Sequence, residues 1–340
     1  MQGISVEIWL EGSVDNRLHI TNGDVANQVL EKHGIEGTFL AWADVMHEGP
    51  LPQGLSLQEM SLIRAGFIAD RGWASQFEAR THFETRDTLF LGAARDGQVV
   101  IWNSWELYDQ LHMLQLLHQY NTETAVGWSA PLLVFVDTHI GSADADYNFD
   151  KSLQAAKPAT PRQFQLAEVV WQAVTSANPR ALAAVLEEDL TVFPYLRGAL
   201  QRFLQEYPSE QGICRTERQI LEAVDDGENR PGAIFGLSQK AEEIAFMGDS
   251  SFWQFMRGLI HSDMPLLALR GGGEFILPGM FGPDEAFLAQ RLELTEEGQQ
   301  VLDGELDWLS KHQPDRWIGG VHLNPENLWR WTGECRFKRG

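Results

Sequence analysis

The chain has 340 residues, with 48 Asp and Glu against 26 Lys and Arg, which gives a formal net charge of -22. This length predicts two or three domains, and so acidic a surface repels nucleic-acid phosphates and anionic membranes. The two cysteines, Cys214 and Cys335, lie far apart in the sequence, and no apolar run approaches about 20 residues. A disulfide framework, a cysteine-based zinc site and a membrane span are therefore disfavoured. No secretory signal pattern opens the sequence, so the expected location is cytoplasmic.

The first 140 residues alternate between short apolar runs and longer amphipathic runs. The predicted strands are residues 18–21, 38–42, 99–102 and 132–136, and the predicted helices are residues 24–33, 57–70 and 108–119. Strands separated by helices of this length indicate βαβ units and a mainly parallel sheet. Residues 1–140 are therefore expected to form an α/β domain.

The remaining sequence indicates four further segments. Residues 141–161 are small, polar and proline-containing, which is typical of a linker or long loop. Residues 162–210 carry helical patterns throughout. Residues 211–304 combine three helices, two strand-like segments and a closing helix, the element order of a winged-helix-like domain. Residues 305–340 are tryptophan-rich and predict a C-terminal segment that docks on another part of the chain.

The first candidate site motif is Asn22, Gly23 and Asp24, directly after the first predicted strand. Gly23 would permit a tight turn with positive φ, and Asp24 would accept free N–H groups at the helix start. A turn and a helix cap could fully account for the motif. In an open α/β sheet, however, ligands bind beyond the carboxyl ends of the strands. Because Asp24 brings negative charge to the helix start, such a site would suit a cation, a hydroxyl or an amine rather than a phosphate.

The second motif follows the next strand and contains Asp44, His47 and Glu48, ended by Gly49 and Pro50. An imidazole beside carboxylates is suited to general acid–base chemistry, or to a hard metal ion such as Mg or Mn. A purely structural loop is the alternative. The hypothesis from sequence is that these three side chains converge with Asp24 at one rim of the sheet as candidate catalytic groups.

Four further residues are candidate ligand-binding groups. Glu106 and Asp109 stand at the start of the predicted helix 108–119, where the helix dipole alone favours acidic residues, but also where a third strand reaches the same rim. Arg316 and His322 flank a pair of glycines near the C-terminus, and either dock this segment or contribute to a ligand pocket. No nucleotide-binding glycine pattern and no GxSxG elbow occur, so the sequence identifies no cofactor and leaves the metal unknown.

The expected recognition helix of the winged-helix-like domain opens with Asp249, Ser250 and Ser251. A helix that contacts base edges would present Arg, Lys, Asn or Gln there. DNA binding is therefore disfavoured, and packing or contact with a protein partner is favoured for this domain. A basic surface around Arg257, Arg270 and Arg291 would reverse that order.

Taken together, residues 18–24, 42–50, 246–253 and 315–323 resemble the bacterial family known as domain of unknown function 1835. The resemblance covers nearly the whole chain and implies a bacterial, cytoplasmic protein. It brings no established activity, cofactor or catalytic residue. The leading functional hypothesis is therefore an α/β domain that binds a small polar ligand at a carboxylate-rich rim, as a hydrolase or transferase if it is an enzyme. The alternative is a non-enzymatic regulator or scaffold that uses the winged-helix-like domain for protein contacts.

Overall fold

A computed structural model describes residues 17–123, 127–279, 282–333 and 336–339. Cys335 therefore lies outside the described residues. The chain divides into two compact units, and neither is one continuous stretch. Unit 1 comprises Met1–Asp44, Ser56–Trp105 and His112–Glu168; unit 2 comprises Val45–Leu55, Glu106–Leu111 and Val169–Gly340.

Unit 1 is built on a five-stranded sheet. Its strands are β1 (Arg17–Thr21), β2 (Thr38–Ala41), β3 (Gln98–Asn103), β4 (Leu132–Phe135) and β5 (Lys157–Pro158). Their order is β2-β1-β3-β4-β5, with β1 to β4 parallel and β5 antiparallel to β4. The strands are short, and β1 and β3 in the middle of the sheet are almost wholly buried, as expected for strands of a parallel sheet. The predicted mainly parallel α/β sheet is confirmed.

The helices that accompany this sheet are α1 (Asp24–Lys32), α2 (Leu57–Asp70), α3 (Gln76–Asp96), α4 (Leu107–Glu123), α5 (Phe149–Gln154) and α6 (Pro161–Thr175). The sequence patterns did not predict α3, which has 21 residues. A capping box formed by Ser75 and Glu78 begins it, and its buried face includes Arg86 and Asp87. Because these two buried positions are charged, the apolar periodicity that would predict a helix is interrupted.

Residues 141–161 lie within unit 1 and carry regular structure. A 3-10 helix (Ile140–Ser142) overlaps the start of this segment, and the segment also contains α5 and the edge strand β5. Phe149 of α5 packs in one core with Leu30, Val100 and Trp102. The chain is thus held against the sheet through the stretch for which the composition indicated a linker or loop.

Unit 2 is mainly helical, with small antiparallel sheets towards the C-terminus. Its helices after α6 are α7 (Pro179–Val185), α8 (Leu196–Leu204), α9 (Arg215–Asp225), α10 (Pro231–Ala241), α11 (Asp249–His261), α12 (Glu285–Ala289) and α13 (Glu296–Leu302). Its strands are β6 (Leu267–Leu269), β7 (Leu292–Leu294), β8 (Arg316–Ile318), β9 (Val321–Leu323), β10 (Trp329–Trp331) and β11 (Phe337–Arg339). They pair antiparallel as β6–β7, β8–β9 and β10–β11. In the part of the chain that the structure describes, no helix is both long and apolar enough to cross a membrane.

The turn between β8 and β9 packs closely on the end of α6. The Gly320 N–H donates to the Val174 carbonyl at 2.8 Å, and the Gly319 carbonyl accepts from the Leu51 N–H at 3.0 Å. A Cβ atom added at Gly320 would lie 1.8 Å from the carbonyl oxygen of Thr175. Glycine is therefore required here because the neighbouring backbone occupies the space of a side chain, and the C-terminal segment is held within unit 2.

Candidate functional site

The strand order of unit 1 creates a switch point between β1 and β3. Chain connections leave β1 towards β2 on one side and reach β3 and β4 on the other side. In open α/β sheets of this 2-1-3-4-5 order, the loops at the carboxyl ends of the two central strands diverge and leave a crevice where ligands bind. The residues that follow β1 and β3 are therefore the first candidates for a site.

Asn22, Gly23 and Asp24 follow β1 at this edge. Gly23 is the N-cap of α1 with an extended φ of -174°, and no side chain caps the helix. The predicted positive φ at Gly23 and the predicted cap by Asp24 are both wrong, since Asp24 is instead the first residue of α1 and its side chain is exposed. The Asn22 carbonyl accepts from the N–H of Ala43, a non-glycine residue with a φ of +43°. The loops after β1 and β2 thus lie side by side.

Asn103 ends β3 at the same edge and was missed from the sequence. Its side chain is fully buried, and its amide nitrogen donates to the Ile101 carbonyl at 3.0 Å. Its Oδ1 atom accepts no hydrogen bond from any described residue. Buried acceptors are almost always paired, so one that accepts no bond from the described residues calls for an explanation, such as an ordered water, an ion or a bound ligand. The rule that selected Asp24, a polar residue directly after an apolar strand, would also have found Asn103.

Asp44, which follows β2, is buried in an ion pair. The Arg64 guanidinium donates to Asp44 Oδ1 through Nη2 at 2.7 Å and Nε at 2.9 Å, and neither side chain is exposed. Burial alone would raise the pKa of Asp44, but the charge and hydrogen bonds of Arg64 outweigh it and hold the pKa below its ordinary value. His112 Nε2 contacts the Asp44 carbonyl oxygen at 2.7 Å. The Asp44 carboxylate is therefore engaged in an ion pair inside unit 1, and its predicted catalytic role stays a prediction.

A second buried ion pair extends this network. Arg86 donates through Nε and Nη2 to Asp87 Oδ1 at 3.0 and 2.9 Å, and its guanidinium stacks 3.9 Å from the Trp42 ring centroid. The Ser61 hydroxyl donates to Asp87 Oδ2 at 2.6 Å. The charges of two buried carboxylates and two buried guanidinium groups thus balance, with Arg64 on α2, Arg86 and Asp87 on α3, and Asp44 after β2. Sequence patterns missed Arg86 and Asp87 because they missed α3.

The other two predicted catalytic groups belong to unit 2, where they form a polar cluster of His47, Glu48, Tyr108 and Ser251. Ser251 Oγ donates to Glu48 Oε1 at 2.5 Å, and His47 Nε2 lies 3.8 Å from the same oxygen. The His47 and Tyr108 rings meet edge to face, with centroids 4.8 Å apart. Burial raises the pKa of Tyr108, and the negative charges of Glu48 and Glu106 raise it further. Three separate stretches of chain therefore bring titratable and hydroxyl groups together here.

The remaining predicted ligand-binding residues have different surroundings within unit 2. Glu106 and Asp109 are buried at the start of α4, at 7% and 2% exposure. Arg316 Nη1 lies 3.6 Å from a Glu217 carboxylate oxygen, and the guanidinium also donates to the Glu206 carbonyl. His322 Nε2 contacts the Asp315 carboxylate at 2.6 Å. Arg316 thus links the C-terminal segment to Glu206 and Glu217, whereas His322 makes a contact inside that segment.

Removing the Ser251 hydroxyl should destabilise unit 2. Ser251→Ala deletes a hydrogen bond to a buried carboxylate, and such bonds contribute about 1.5–3 kcal/mol. We expect a loss of that size in the free energy of unfolding measured in urea. Ser250→Ala is the matched control, because Ser250 is exposed on the same helix and its removal should change stability by less than about 0.5 kcal/mol. Equal losses in the two variants would contradict a specific role for Ser251.

The sequence also left open a hard metal ion bound near Asp44, His47 and Glu48. Among the described residues, no group of three or more His, Cys, Asp or Glu side chains is placed to hold a metal ion. Comparison with known proteins does not identify the chain, since no family model and no curated protein matches it.

Proposed function

We propose that unit 1 binds a small polar ligand at the carboxyl edge of its sheet, between the ends of β1 and β3. The observation that carries the proposal is the buried Oδ1 atom of Asn103, which accepts no hydrogen bond from the described chain. A ligand with an N–H or O–H donor would satisfy this acceptor. The strand order supports the same location, because β1 and β3 flank the switch point.

The charge at this edge defines the ligand class. Asp24 places an exposed carboxylate in the first turn of α1, where an anionic ligand would otherwise bind the helix N-terminus. Asn103 Oδ1 and Asp24 are both acceptors, so the complementary ligand carries donors. An amine or a polyhydroxyl compound fits this description, and a phosphate or a carboxylate does not.

A hydrolase or transferase activity stays a separate part of the proposal, with His47 and Glu48 as acid–base or orienting groups inside unit 2. The hydrogen bond from Ser251 to Glu48 and the nearby imidazole of His47 support proton exchange within their own cluster. Membership in the domain of unknown function 1835 family is also part of the proposal, and adds no activity to it.

Ligand titration of the full chain tests the binding site. We expect putrescine, ethanolamine or inositol to bind measurably by calorimetry, and inorganic phosphate and acetate to bind far more weakly. Asp24→Asn should weaken amine binding about tenfold, equivalent to about 1.4 kcal/mol. Asp96→Asn is the control, since Asp96 is an exposed carboxylate at the end of α3.

A preference for phosphate, or equal affinity in the two variants, would contradict the proposed ligand class. Asn103→Asp provides a second test, because it keeps the side-chain oxygen while adding negative charge. It should strengthen amine binding relative to binding of the uncharged inositol.

A second candidate function concerns unit 2. The order α9, α10, α11, β6, α12, β7 and α13, with β6 and β7 paired antiparallel, supports a winged-helix-like arrangement used for contact with a protein partner. Two of the three arginines that would favour DNA have partners within this unit: Arg270 pairs with Glu293 at 3.2 Å, and Arg291 Nη1 donates to the Leu288 carbonyl at 2.8 Å, while Arg257 is exposed. These contacts support a regulator or scaffold over a DNA-binding protein.

A further inference from the structure

Unit 1 contains a second feature suited to a ligand, a cavity of about 310 Å³ bordered by residues of α2 and α3. Its wall includes the buried side chains of Ser61, Phe83 and Asp87, and the half-exposed Leu62. Arg80 and Glu84, also lining residues, pair with each other at 2.6 Å and are well exposed. The volume lies at the lower end of the range for small-molecule pockets.

Asp87 has hydrogen-bonding capacity left in this cavity. Its Oδ1 atom accepts two bonds from Arg86, and its Oδ2 atom accepts one bond from Ser61. A carboxylate offers about four acceptor positions. Asp87 lines the cavity, and these bonds leave one acceptor position on Oδ2 unused.

Among the described residues of unit 1, the buried carboxylates of Asp44 and Asp87 differ in how well their charge is compensated. Arg64 holds the pKa of Asp44 below its ordinary value, whereas burial raises the pKa of Asp87 in spite of the Arg86 guanidinium. Asp87 is thus the carboxylate that a further positive charge would stabilise, and it is the one that lines the cavity.

We propose that this cavity is a binding site for a small organic cation, whose ammonium or amidinium group donates to Asp87 and whose apolar part lies against Phe83 and Leu62. Its cationic end would meet a carboxylate that Ser61 and Arg86 already hold in place. The site is separate from the one proposed at the carboxyl edge of the sheet, and it uses none of the same residues.

Binding of benzamidine to the full chain tests this proposal, with benzamide as the uncharged analogue of nearly the same shape. Calorimetry should give at least tenfold tighter binding for benzamidine than for benzamide. Carbon-detected NMR of labelled aspartates should show the Asp87 carboxyl titrating at a lower pH when benzamidine is bound, because a bound cation favours the ionised form. Equal binding of the two compounds, or an unchanged Asp87 titration, would overturn the proposal.

Two variants locate the site. Thr88→Trp fills the cavity from an exposed position on α3 and should abolish benzamidine binding, whereas Thr81→Trp, exposed on the same helix but not lining the cavity, should leave it unchanged. Asp24→Asn should also leave benzamidine binding unchanged. Loss of binding in Asp24→Asn would place the ligand at the carboxyl edge instead, and equal affinity in the two tryptophan variants would exclude the cavity.

Discussion

Replacing Arg64 by methionine is expected to lower the free energy of unfolding by about 3–5 kcal/mol, because the change leaves the Asp44 carboxylate buried without its partner. Urea unfolding followed by circular dichroism measures the loss. The matched control is Arg95→Met, since Arg95 pairs with Asp96 at the surface, with both side chains about two-thirds exposed. Exposed pairs contribute about 0–1 kcal/mol, so this control should unfold almost as the parent does.

The pH dependence separates lost charge pairing from lost packing. In the parent chain the folded pKa of Asp44 lies below its ordinary value of 3.8, so the pairing stabilises the fold above that pH and is lost as the pH falls through the lower folded value. Without Arg64, burial should raise the pKa of Asp44. The destabilisation of the variant should then be largest at neutral pH and shrink as acid protonates the carboxyl. An equal loss at pH 7 and at pH 4 would contradict an electrostatic origin.

Replacing Gly320 by alanine should also have a large effect, by a purely steric mechanism. The new Cβ would lie 1.8 Å from the Thr175 carbonyl oxygen, so the turn between β8 and β9 must move away from α6. Overpacking costs about 1–3 kcal/mol, and loss of the hydrogen bond from Gly320 to Val174 adds about 1 kcal/mol. We expect a total loss of about 2–4 kcal/mol in urea unfolding.

Gly258→Ala is the control for this substitution in the same unit. Gly258 lies within α11, and a Cβ there would meet no described atom within 4 Å. Alanine should therefore stabilise the helix by about 0.5–1 kcal/mol. If Gly320→Ala unfolded at the same urea concentration as the parent, the close packing of the C-terminal segment would not contribute to stability.

Much of unit 1 could be predicted from local sequence. The apolar runs that became β1 to β4 are bounded by glycine, proline and polar residues, and α2 has the predicted bounds. The winged-helix-like arrangement of residues 211–304 stays a prediction. So do the catalytic roles of Asp24, Asp44, His47 and Glu48.

The surroundings of the site could not be predicted in the same way, since they depend on contacts between distant residues. Arg64 meets Asp44 across 20 positions, and Glu48 meets Ser251 across 203. A carboxylate at a strand end looks the same in sequence whether a ligand or an arginine satisfies it. Asn103 shows the opposite case: its burial, and the lack of a described partner for its oxygen, follow from neighbours that only the fold supplies.

The edge strand β5 has a consequence for the behaviour of this protein at high concentration. It has two exposed residues, Lys157 and Pro158, and it covers the open side of β4. Pro158 has no N–H to donate and Lys157 carries a positive charge, so a strand from another molecule cannot readily extend the sheet there. At the opposite edge, β2 offers a ladder of four residues. The sheet is thus protected against edge-to-edge polymerisation on its β5 side, and any pairing with another molecule is expected at β2.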